Sequence, residues 1–188
     1  MKTPAIKALG IGAVFALAAA GFTAPAHAAS PKWTYPAIEG FGPVHPLPDA
    51  AMQPHKNKTY KAVFDVTKGI SDPSKPDSGL DHVARAVNVF ASAGVPLKHL
   101  HFVAVLHGPS TPAVLDNAHY RAKYNVDNPN IKLISALKKA GVKVEVCGQA
   151  LADNDFQHDW VNKDVTITLS ALSDLVMYGN MGYSFVKQ

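Results

Sequence analysis

From about Lys58 onward the apolar positions switch repeatedly between the two-residue period of a strand and the 3.6-residue period of a helix. Tyr60 to Val66 is rich in aromatic and β-branched residues and predicts a strand. Asp81 to Ala93 sets Val83, Ala86, Val87 and Phe90 on one helical face and stops at Gly94. His99 to Leu106 predicts a second strand, and Thr111 to Tyr124 a helix with Pro112 in its first turn. Asn128-Pro129 opens a further helix, Asn130 to Ala140, which ends at Gly141. Val142 to Cys147 and Val165 to Leu169 predict two more strands, Ala171 to Tyr178 a short helix, and Tyr183 to Val186 a final strand. Strands alternating with helices at this spacing predict an open α/β sheet of about five strands, mostly parallel and covered on both faces.

The pattern ahead of this region is different. Met1 to Lys7 carries Lys2 and Lys7 without an acid, Ala8 to Phe22 is apolar and small, and Ala26-His27-Ala28 has the small-x-small form of a cleavage site. Residues 1–28 therefore predict a signal peptide, with Ala29 as the mature start and a periplasmic destination. The apolar run is shorter than the ~20 residues a spanning helix needs, so no membrane association is expected after cleavage. Residues 29–57 form a proline-rich arm, with Pro31, Pro36, Pro43, Pro46, Pro48 and Pro54 spaced too closely for a helix or an inner strand. Trp33, Tyr35 and Phe41 lie inside it. Two readings stay open: the arm lies against its own domain or a neighbouring subunit, or it is a partly ordered linker. Residues 58–188 form the α/β domain.

Composition narrows the function classes. Of 188 residues, 47% are hydrophobic and 17% charged, which suits one ordinary buried core. The formal charge of +4 includes Lys2 and Lys7, so the chain without its leader carries +2. Lysines are scattered, with no basic stripe interleaved with aromatics, and nucleic acid is not expected as a partner. A single cysteine, Cys147, excludes an intramolecular disulfide and a Cys-rich zinc module.

In open parallel sheets ligands bind beyond the carboxyl ends of the strands. Three connections leave that edge. Thr67 to Leu80 is longer than an ordinary strand-to-helix loop and is a candidate lid or binding loop. His107-Gly108-Pro109-Ser110 follows the second predicted strand, and Cys147-Gly148-Gln149 follows the third. A histidine and the only cysteine thus occupy equivalent positions, each followed by a glycine that lets the chain turn and leaves the side chain approachable. If the two strands are neighbours, His107 can stabilise a Cys147 thiolate, the reactive form of the sulfur. A cysteine at a strand end is as often a small buried hydrophobe.

The other histidines read more simply. His101 lies about 20 Å from His107 along a strand at ~3.3 Å per residue, and His99 lies farther still, so neither can share its site; surface positions are expected for them. His158, among Asp153, Asp155 and Asp159, belongs to a solvated polar face. No phosphate-binding glycine loop, serine-nucleophile elbow or zinc helix occurs, so neither a cofactor nor a metal site is expected.

Several segments together resemble the DsrE/DsrF-like family. They are Asp65-Val66-Thr67, His107-Gly108-Pro109, Asp127-Asn128-Pro129-Asn130, Gly141 to Leu151 with its Cys147-Gly148 pair, and Gly182 to Lys187. The resemblance spans about Tyr60 to Lys187 in order. It implies a three-layer α/β/α sandwich, assembly into homotrimers or hexamers, and a cysteine that carries sulfur as a persulfide. Cys147 matches that cysteine. With His107 as its tuning partner and Gly108, Gly148, Gln149 and Thr67 as ligand-binding neighbours, the implied role is a sulfur carrier or sulfurtransferase-like protein. Its partners would be a sulfur donor or acceptor protein or a small sulfur compound. The chain departs from the resemblance in its leader and its proline-rich arm. A non-enzymatic binding or assembly module with a buried structural cysteine is the alternative.

Overall fold

The computed structural model describes Met1 and residues 32–188. The expected signal peptide and its cleavage point lie outside the described residues. Five strands form one sheet: β1 Tyr60–Val66, β2 Leu100–Leu106, β3 Lys143–Cys147, β4 Thr166–Thr168 and β5 Ser184–Lys187. Their spatial order is β4-β3-β2-β1-β5 and every pairing is parallel. Among the described residues the α-helices are α1 Ser78–Ser92, α2 Asn117–Tyr124, α3 Asn130–Lys139, α4 Gly148–Asp153 and α5 Ala171–Asn180. The fold is an open α/β sandwich. No helix among the described residues is long and apolar enough to cross a membrane.

The strands are apolar on both sides because helices cover both sides. Phe64, Val66, Phe102, Leu106 and Val146 pack with Val83, Val87, Leu133 and Leu137 of α1 and α3. The opposite face carries Val63, Val103, Val105 and Cys147 against Ala171 and Leu175 of α5. Strand alternation places Asp65 with Val63, and Glu145 with Cys147, on this second, thinly covered face.

Two expected elements change form. The helix expected over Thr111 to Tyr124 is a 3₁₀ stretch, Gly108–Val114, followed by the separate helix α2. Pro109 and Pro112 supply no N–H donors, so a continuous α-helical ladder cannot form there. A new start comes at Asp116, whose carboxylate accepts the His119 N–H at 2.8 Å. The connection after Cys147, expected as a loop, is the short helix α4.

The Thr67-to-Leu80 connection, expected as a candidate lid, is tied down by buried polar groups. Gly69 N–H donates to Ser110 Oγ at 2.9 Å, and Ser110 Oγ donates to Asp77 Oδ2 at 2.7 Å. Asp77 N–H donates to Asn130 Oδ1 at 2.7 Å, while Asp77 Oδ1 caps α1 through Leu80 N–H. Tyr120 Oη donates to the Pro73 carbonyl at 3.0 Å. Each of these bonds would be broken if the loop swung away, leaving the groups still buried beneath it without partners.

The arm lies along α1 of its own chain over residues 34–44. Thr34 and Val44 pair as an antiparallel bridge, and Ile38 and Val44 are buried. Asn88, fully buried on α1, accepts N–H bonds from Ala37 and Ile38 and donates to the carbonyls of Ile38, Phe41 and Gly42. Gly42 sits at φ +56, where an added Cβ would meet the Arg85 backbone nitrogen at 2.1 Å. Only glycine lets the arm approach the helix that closely.

Candidate functional site

The carboxyl edge of the sheet, on the α5 side, gathers side chains from successive strands. Leu106 pairs with Val146 in register, so His107 and Cys147 leave neighbouring strands at the same level. Both line one cavity of about 680 Å³, together with Gly108, Gln149, Ser170 and Leu172. His107 Nε2 lies 2.5 Å from Asp65 Oδ1. On the other flank Cys147 Sγ lies 4.0 Å from Ser170 Oγ. A carboxylate, an imidazole, a thiol and a hydroxyl thus follow one another across β1, β2, β3 and the segment after β4. No hydrogen bond joins His107 directly to Cys147 among the described residues.

Cys147 also begins α4. Its sulfur accepts the Ala150 N–H at 3.4 Å, the contact a serine or aspartate oxygen makes at an ordinary helix start. The residue is 5% exposed and packs on Val63, Val103 and Val105, so the sulfur meets the cavity from an apolar floor.

The two glycines serve different ends. Gly108 has φ +51 and nothing near its missing side chain, so it is there for the turn after His107. Gly148 has no positive φ, but a Cβ on it would lie 2.6 Å from the Thr168 carbonyl oxygen. Expected as a ligand-binding residue, Gly148 is not among the cavity lining and instead lets α4 pass close to β4. Gln149 does line the cavity, with its amide 3.4 Å from the Leu169 carbonyl. Thr67, expected beside them, is outside the lining: its backbone N–H and its hydroxyl both reach the Gln188 carbonyl.

Two partners were not read from the sequence. Asp65 carried a signal, a lone acid inside an otherwise apolar strand that is buried on both faces. Ser170 carried only the ordinary signal of a helix start, and it does cap α5 by accepting the Leu172 N–H at 3.2 Å.

Below the cavity, on the same face, lies a second polar group. Tyr178 Oη donates to Glu145 Oε1 at 2.7 Å, and Thr168 Oγ1 donates to Asp174 Oδ2. Burial pushes the Glu145 carboxyl above the usual carboxylate range; the Tyr178 hydroxyl offsets part of this, and the nearby Asp174 adds to it. Burial, and then the bond to Glu145, likewise raise the Tyr178 phenol.

The histidines outside the site have local partners. His99 Nδ1 lies 3.1 Å from the Lys56 carbonyl, His119 pairs with Asp116 and stacks on Trp160, and His101 and His158 are exposed. No cluster of three or more His, Cys, Asp or Glu side chains suited to a metal ion occurs among the described residues.

Comparison with known proteins gave two findings. A family profile described as the DsrE/DsrF-like family matches residues 61–187. Among solved structures, the chain is similar to the protein of unknown function MTH1491 from Methanobacterium thermoautotrophicum, at 16% identity and a TM-score of 0.50. That likeness covers 69% of this chain and 99% of the other, and it is a likeness of fold. No curated protein matches the sequence.

Proposed function

The chain belongs to the DsrE/DsrF-like family, and from that premise we propose that it handles sulfur, binding or carrying a sulfane sulfur on Cys147. The observation that supports this best is the setting of its only thiol. Cys147 faces a cavity at the carboxyl edge of the sheet, beside an imidazole already held by a carboxylate, with a backbone N–H directed at the sulfur.

In the proposed step the Cys147 thiolate attacks the outer sulfur of a donor persulfide, R–S–SH. A new S–S bond forms at Cys147 as the donor's S–S bond breaks, and RS⁻ leaves. Cys147–S–SH results, and one sulfane sulfur has changed carrier without net oxidation. The proton given up by the thiol ends on the leaving group as RSH, while His107, held by Asp65, lines the same cavity and orients the incoming donor. Gly108 and Gln149 border the space where an anionic sulfur group sits. The role is that of a carrier more than of a turnover enzyme. The leader expected over residues 1–28 supports a periplasmic setting for this chemistry, where an exposed thiol is prone to oxidation, and the low exposure of Cys147 suits that setting.

The test is mass spectrometry of the native protein after exposure to polysulfide or thiosulfate. One added sulfur on Cys147, removed by a reductant and absent from Cys147→Ser, is the expected result. A native Cys147 that gains no sulfur would overturn the proposal. The apolar packing of Cys147 favours one rival, a binding module with a structural cysteine. Under that reading the thiol also resists alkylation until the protein unfolds.

A further inference from the structure

The charges around the Cys147 cavity are one-sided. Besides His107, its lining holds one ionisable oxygen acid, Asp153, and neither lysine nor arginine. Lys68 and Lys187 follow or end strands at the same edge of the sheet, but both are outside the lining. Any positive charge that His107 takes up is met by Asp65, to which its Nε2 is bonded. The two helix starts beside the cavity already have their acceptors. Cys147 Sγ takes the Ala150 N–H of α4, Ser170 Oγ takes the Leu172 N–H of α5, and Asp174 stands in the first turn of α5. What remains is uncharged: Gln149, Asn154 and Ser170 offer neutral polar groups, and Ala171, Leu172 and Leu175 form an apolar wall.

We propose, resting on the sulfur-carrying reading of Cys147, that the donor is a small organic persulfide, R–S–SH, whose R is apolar and carries no negative charge. The volume of about 680 Å³ lies within the roughly 300–1,000 Å³ of small-molecule sites. The charge balance of the transfer agrees with the lining. Cys147–SH and R–S–SH become Cys147–S–SH and RSH: the donor's S–S bond breaks, one forms at Cys147, and the thiol proton leaves on RSH. When R is uncharged the remainder that departs is neutral, so the cavity needs no lysine or arginine to hold it. Thiosulfate instead puts two negative charges on the remainder, which departs as sulfite, and a carboxylate-bearing persulfide puts one there. Either charge would sit beside Asp153 with no cation to offset the water it gives up. An apolar R covers part of Leu172, which is 80% exposed at the rim, and removes that surface from water.

Propyl persulfide and 2-carboxyethyl persulfide provide the test, because they share the reacting group and are close in size but differ in charge. Sulfur gained by Cys147 is followed by mass spectrometry of the native protein, and each rate is divided by the rate of the same donor with free cysteine. The expected ratio favours the propyl donor on the order of tenfold at low salt, the effect of a like charge about 10 Å away at an effective dielectric of about 20. The ratio narrows as salt is added. Asp153 is exposed at the end of α4, where a cation suits the helix, so Asp153→Lys is expected to keep the circular dichroism spectrum and to abolish or reverse the preference. Equal normalised rates in the native protein, or a preference that Asp153→Lys leaves unchanged, overturn the proposed donor while the sulfur-carrying reading stands. A Cys147 that gains sulfur from neither persulfide overturns both.

Discussion

Replacing Gly148 by alanine puts one carbon where the structure has no room for it. The new Cβ would lie 2.6 Å from the Thr168 carbonyl oxygen and 3.5 Å from that of Leu169, and both are backbone atoms that cannot rotate aside. Relief requires β4 to move off β3 or α4 to tilt. Strand β4 is three residues long and on the edge of the sheet, held by its ladder to Glu145, Val146 and Cys147. One extra carbon forced into a packed region costs about 1–3 kcal/mol. Replacing glycine by alanine in a helix returns up to about 1 kcal/mol of this. The net loss is about 1–2 kcal/mol, or a Tm lower by about 2–8 °C for a domain of this size. Calorimetry measures it, with Cys147 alkylation as a second readout, because a shift of β4 carries Ser170 away from the sulfur and opens the cavity. Gly108→Ala is the comparison: it has open space but a positive φ, so it costs about 1–2 kcal/mol through backbone strain alone and leaves alkylation unchanged. A Gly148→Ala protein that melts with the wild type and is alkylated at the same rate would refute the steric reasoning.

Three further outcomes are expected. Asn88→Ala removes five hydrogen bonds between α1 and the arm; it should cost about 2–4 kcal/mol in urea unfolding and make the segment around Phe41 an early site of limited proteolysis. Asp65→Asn takes the charge from the His107 pair, and a loss of about 1–2 kcal/mol is expected for this partly exposed bond, together with slower alkylation of Cys147 at neutral pH and an unchanged circular dichroism spectrum. Glu145→Gln addresses pH: the folded protein raises the Glu145 carboxyl above its ordinary value of 4.5, so the native state binds the extra proton and this residue's contribution declines as pH rises from there through the raised value. The Tm of Glu145→Gln relative to wild type should therefore climb between mildly acidic and neutral pH, and a difference that stays flat across that range would count against a buried, raised carboxyl.

The strands were legible because their side chains meet apolar neighbours on both faces, which leaves runs such as Ala62 to Phe64 and Val103 to Leu106 with no competing period. The reactive edge was legible for a related reason: in a parallel sheet equivalent positions share one rim, so His107 and Cys147 could be placed on the same edge from their strands, while the adjacency of β2 and β3 came from the structure. What stayed hidden depended on partners distant in sequence. Asp65 gains its meaning from His107, 42 positions on, and Asn88 from the arm about 50 positions before it. Helix α4 escaped notice because it is one and a half turns long, is capped by a sulfur in place of an oxygen, and starts at a glycine whose purpose is the closeness of β4. The 3₁₀ stretch at Gly108–Val114 was hidden by a helical pattern of apolar residues that its two prolines could not turn into α-helical hydrogen bonds.

The placement of β5 beside β1 bears on when the site comes into being. Gln188 N–H donates to the Asp65 carbonyl at 2.9 Å, Thr67 N–H donates to the Gln188 carbonyl at 3.2 Å, and Lys187 pairs with Asp65 in register. These contacts join segments 121 positions apart in sequence. Closing so wide a loop is slow, and such pairings tend to form late on the way to the native state. A chain that had assembled β1 to β4 alone would already hold its thiol and imidazole in place while the backbone beneath the carboxylate was still open to water. The last strand thus completes the backbone pairing of the strand that carries Asp65.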